Sequence, residues 1–158
     1  MTERRRRTSR PTAKTPRLQD TVRLSADGLA KVLGDLEARV MQAVWKAGEP
    51  VTARNVHERV VEEHDVALLT VVTVLNKLVD KRLLRRAKQS GVFHYRPVLL
   101  EVEFRQQAAR RVVDGILSFG PAAIAASFVD ALAENDPAQL AELDRLVRER
   151  LKKDRKKS

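Results

Sequence analysis

From Asp35 onwards, apolar positions recur at helical spacing. Leu36, Val40, Met41, Val44 and Trp45 fall at i, i+4, i+5, i+8 and i+9, a single stripe that Gly48 and Pro50 bring to an end. Thr52 predicts the N-cap of a second helix reaching about Glu63, with Val56, Val60 and Val61 on its inner face. The third segment, about Ala67 to Lys81, is rich in valine and threonine, which favour strands over helices. Its period decides for a helix. Val71, Val74, Leu75 and Leu78, with Leu68, share one face, while Thr70, Thr73, Asn76, Lys77 and Asp80 share the other.

The pattern then changes. Residues 83–89 and 92–98 flank Ser90-Gly91, with Phe93 and Tyr95 alternating against Val92, His94 and Arg96, the signal of a β-hairpin. Helical spacing returns in three segments, about 100–118, 121–133 and 137–152, the last capped by Asp136 ahead of Pro137. Three such helices joined by small residues ("GPAAIAAS") make a weak core alone and a better one when paired, which predicts a dimerisation unit. Its expected interface residues are Phe104, Ile116, Ile124, Phe128, Leu132, Leu140, Leu143 and Val147.

Charge sharpens this picture. The chain of 158 residues has a formal net charge of +10. Residues 1–23 hold eight basic and two acidic residues with almost no apolar ones, and predict a disordered basic arm. Residues 24–34 suggest a short helical turn, and 153–158 form a basic tail. Between the ends the chain is neutral, yet residues 77–96 carry seven basic side chains against Asp80 alone, a local net of +6. A patch of this kind predicts an anionic partner such as nucleic acid. With no cysteine, disulfides, thiolate metal sites and cysteine redox chemistry are excluded. No window approaches a membrane span and no apolar leader follows the first arginines, so the chain reads as soluble and cytoplasmic, without a membrane partner.

Three helices followed by a two-stranded ribbon predict a mainly α, winged helix-turn-helix unit over 24–98, and residues 99–152 a C-terminal three-helix dimerisation unit. In a winged helix the third helix enters the major groove of DNA and the hairpin, or wing, lies against the backbone. Thr70 and Thr73 can bond base edges or phosphates, Asn76 can read adenine, and Lys77 suits a phosphate or guanine. The other role open to the threonines is bonding back to helical carbonyls. Arg85, Arg86 and Lys88 on the ribbon would neutralise phosphates.

Residues 33–98, with "LGDLEARVMQAVW", "GEPVTARNVHERV", "LTVVTVLNKLVDK" and "YRPV", resemble the DNA-binding domain of the BlaI/MecI/CopY family of penicillinase-type repressors. The resemblance extends more loosely through the C-terminal helices. It implies a homodimeric repressor on a palindromic operator, with Thr70, Thr73 and Lys77 as recognition contacts, Arg54 as a backbone contact and residues 85–96 as wing. Leu69 and Val72 stand where relatives place polar, basic or methionine side chains, which shifts the expected readout toward thymine methyls. Arg82 replaces a glycine or occasional asparagine that closes the third helix in relatives, at an expected cost of roughly 1 kcal/mol if the left-handed backbone is kept. Neither metal-sensing cysteine pairs nor an Asn-Phe cleavage site are found; Arg111-Val112 stands at the latter position.

Two other function classes are open to such a sequence. A nonspecific nucleoid-associated protein driven by the basic ends is one alternative. An enzyme is the other, and the residues argue against it. His57 and His64 lie seven apart, Val61 holds the place a zinc-binding histidine would need, and no phosphate loop or nucleophile motif is present. No cofactor or metal is expected.

Overall fold

The computed structural model describes Arg23 and residues 28–158. The basic arm expected over residues 1–23 lies outside these apart from Arg23, whose guanidinium donates to the Ala30 and Leu33 carbonyls and pairs with Asp35. A short 3-10 turn, Gly28–Lys31, leads into helix α1 (Asp35–Ala47). Gly48, with φ at 69°, ends α1, turning its N–H back to the Trp45 carbonyl in a conformation that glycine adopts without strain.

Strand β1 (Val51–Thr52) follows, then helix α2 (Ala53–Val61). Thr52 both closes the strand and caps the helix. Its hydroxyl accepts from the Asn55 N–H at 3.2 Å while the Asn55 side chain accepts from the Thr52 N–H. Helix α3 (Leu68–Asp80) settles as the helical period requires: Val71, Leu75 and Leu78 are fully buried and Val74 nearly so. Strands β2 (Leu84–Gln89) and β3 (Val92–Pro97) form the hairpin, with Ser90 and Gly91 both at positive φ in a two-residue turn. The sheet order is β1-β3-β2, all antiparallel. Strand β1 leaves no signal in the sequence, since two residues are too few to show a period.

Helix α4 (Glu101–Leu117) starts against this unit. Phe104, 1% exposed, packs with Trp45 at 5.2 Å between ring centroids, and the Trp45 Nε1 donates to the Leu99 carbonyl. Phe104 was expected at an intersubunit face; it closes the core of its own unit instead. Two other expectations shift. Val61 is 41% exposed because it lies one residue round the helix from inward Val60, and Leu68 is 38% exposed at the first residue of α3.

Winged helix describes residues 35–97, and the protein is mainly α. The chain divides into two compact units after Arg110. The second holds the end of α4, helix α5 (Pro121–Asn135) and helix α6 (Pro137–Lys157). Asp136 separates the last two and caps α6 by accepting from the Gln139 N–H. Helix α6 continues to Lys157, past the expected end at 152, supported by pairs four residues apart such as Arg148–Asp144 and Arg150–Asp154. No residue of α5 or α6 is buried. Among the described residues no helix is long and apolar enough to cross a membrane.

Candidate nucleic-acid interface

Because α3 buries one stripe, its opposite stripe is presented outward. Leu69, 75% exposed, leads a line through Thr73 and Lys77 at four-residue steps, with Thr70 beside it. The Thr73 hydroxyl donates to the Leu69 carbonyl at 3.0 Å, so the back-bonded alternative holds for its proton; the side chain is still exposed. Val72 is half-buried. It lines an open concavity of about 540 Å³ with Arg54, Leu68, Val92 and Phe93, between the start of α2, α3 and the wing tip. Arg54 is exposed in the first turn of α2, the end of a helix that favours anions.

Asn76 departs from expectation. Its Oδ1 accepts from the Arg86 guanidinium at 2.7 Å and from the Tyr95 hydroxyl at 3.2 Å. Reading adenine takes the amide oxygen and nitrogen together, and here the oxygen is already engaged. Asn76 is therefore a positioning residue that ties the wing to α3.

Register then sorts the wing. Arg86 lies opposite Tyr95 and Lys88 opposite Phe93, on the face whose members Leu84 and Tyr95 are buried. Arg86 stacks 4.5 Å above the Phe93 ring and the Lys88 ammonium sits 5.4 Å from the same ring, so one aromatic plate holds both cations beside α3. Arg85, expected with them, pairs with Arg96 on the opposite face. Phe93 was visible as part of the hairpin alternation, but its role as a plate depends on which residue faces it across the ladder.

Lys81 belongs to neither face. Its ammonium reaches both Glu37 oxygens at 2.7 and 2.9 Å, joining the end of α3 to the start of α1. Burial pushes the Glu37 carboxyl up, but the Lys81 bond, the Gly34 N–H and the Lys81 and Lys77 charges together hold it below its ordinary value. The basic run is thus dealt three ways: Lys77, Arg86 and Lys88 in front, Arg82, Arg85 and Arg96 elsewhere, and Lys81 within. His57, expected as solvated, is half-buried with its Nε2 bonded to the Val66 carbonyl at 2.7 Å, which secures the turn between α2 and α3.

The penicillinase repressor family model matches residues 33–149. The chain belongs to this family. Within it, the transcriptional regulator BlaI of Mycobacterium tuberculosis is 42% identical over 66 residues, 42% of this chain and 48% of that protein. The match thus spans about half the length of that curated relative. An uncharacterized 16.5 kDa protein of Latilactobacillus sakei is 26% identical over 109 residues, 68% of this chain and 74% of its own. Among solved structures, the Bacillus licheniformis BlaI monomer in complex with the blaP half-operator is similar at 28% identity, covering 44% of this chain and 83% of that one, with a TM-score of 0.39.

Proposed function

We propose that the chain is a homodimeric, sequence-specific DNA-binding transcriptional repressor that lays α3 in the major groove of a palindromic operator, sets the front of its wing on the backbone, and pairs through its second unit. The observation that carries this reading is the shared front face. On α3, Leu69, Thr70, Thr73 and Lys77 are exposed, while Arg86 and Lys88 stand beside them on one aromatic plate. Side chains that can meet base edges thus lie next to cations that can meet phosphates. The apolar side chains left exposed on α5 and α6, Phe128 and Val147 among them, support pairing with a second copy.

Fluorescence anisotropy at physiological salt, with the tightest duplex selected from a random pool and its scrambled counterpart, tests the reading. A tighter selected duplex is expected, by a factor of a thousand or more. Thr73→Ala should narrow that gap by roughly 1–3 kcal/mol at one base step. Lys88→Ala should weaken both duplexes alike and reduce the salt slope by about one. Equal affinity for the two duplexes would leave a nonspecific, charge-driven binder and sink the proposal.

A further inference from the structure

The front face leaves three arginines without a task. We propose that the rear of the wing is a second anion site, which takes a phosphoryl group in the concavity bounded by Arg82, Arg85 and Arg96. Arg85 and Arg96 lie directly opposite one another across the β2–β3 ladder, on the face turned away from buried Tyr95, and both are exposed. Like charges so placed repel. Arg82 joins them from the corner between α3 and β2, and all three line one open concavity of about 890 Å³ with Pro50, Val79 and Leu99 as apolar wall.

The surroundings of these guanidinium groups favour an anion. No aspartate or glutamate lines the concavity, and among the described residues none of the three arginines is in a salt bridge. Arg86 also borders this concavity, but its guanidinium is already held by Asn76 and stacked on Phe93. Arg82 adds an independent observation. Its φ of 62° lies in the left-handed region, so a long side chain is kept where the backbone favours glycine. The planar fork of arginine matches phosphate oxygens two at a time, and convergent cations beside apolar walls concentrate anions.

A phosphoryl group can come from a free phosphorylated small molecule or from a DNA strand that passes behind the wing. The full chain, the Arg85→Gln/Arg96→Gln double variant and Arg82→Gly separate the two. The double substitution removes a repulsion and the single one a strained backbone, so both variants are expected to melt no lower than the parent, as circular dichroism will show. If the source is a free ligand, inorganic pyrophosphate at constant ionic strength should bind one per chain by calorimetry. Its affinity should fall at least tenfold in the double variant and stay unchanged in Lys88→Ala. If the source is DNA, pyrophosphate should not saturate, whereas the double variant should bind every duplex more weakly with a salt slope lower by about two. Folded variants that alter neither pyrophosphate binding nor the salt slope would overturn the rear site. They would leave the front face untouched, since that reading rests on the selected-against-scrambled comparison.

Discussion

Arg82 occupies the left-handed residue that ends α3, where the Leu83 N–H turns back to the Leu78 carbonyl and the Arg82 N–H to that of Val79. Glycine would hold this conformation without the clash between Cβ and carbonyl. Arg82→Gly is therefore expected to stabilise the protein by about 1 kcal/mol in urea unfolding. A variant less stable than the parent would mean that contacts of the arginine side chain outweigh its backbone strain. Asn76 offers a second single-residue test. Asn76→Ala removes the acceptor for Arg86 and leaves the hydroxyl of buried Tyr95 unpaired, at a cost of about 1–3 kcal/mol. Amides of 84–97 should exchange faster and all duplexes bind more weakly. If affinity fell only where one particular adenine is present, Asn76 would be reading bases after all.

Between elements, the Glu37–Lys81 pair is the polar joint of the winged-helix core, with the Glu37 side chain 11% exposed. The Glu37 carboxyl is held below its ordinary value of 4.5 in the folded protein, so its contribution to stability is complete above that value and is lost as pH falls through the lower folded one. The unfolding free energy of the parent should therefore drop more steeply below about pH 4.5 than that of Glu37→Gln, followed by urea titration across that range. Parallel curves would show that the pair does not contribute. This joint was not legible in the sequence, because residues 44 positions apart meet only once α1 and α3 have packed. The helices were legible, since burying Val71, Val74, Leu75 and Leu78 on one side leaves Thr70, Thr73 and Lys77 on the other. The wing was legible as a hairpin but not as two faces. Arg85 and Arg86 are neighbours in the chain, and only the pairing of Arg86 with Tyr95 and of Arg85 with Arg96 sends them to opposite sides.

At the scale of the molecule, burial differs sharply between the two units. The first unit encloses Leu33, Met41, Leu75, Leu84 and Phe104 almost completely, whereas α5 and α6 bury nothing and expose Phe128 at 54% and Val147 at 48%. Apolar side chains of that size each gain roughly 1.5–3 kcal/mol when taken out of water, a gain that a second copy can supply. The parent should therefore sediment at twice its chain mass of 17.8 kDa at micromolar concentration. Phe128→Glu combined with Val147→Glu places charge on side chains that are already exposed, so the variant should fold yet sediment as a single chain. DNA binding then supplies an independent reading. Two linked winged helices engage two half-sites with the second contact made intramolecular, which strengthens binding by about a hundredfold or more over one half-site. The monomeric variant should lose that factor on a palindrome while binding an isolated half-site as the parent does. A parent that sediments as a monomer, or a variant that keeps the full palindrome affinity, would remove the second unit from the interface.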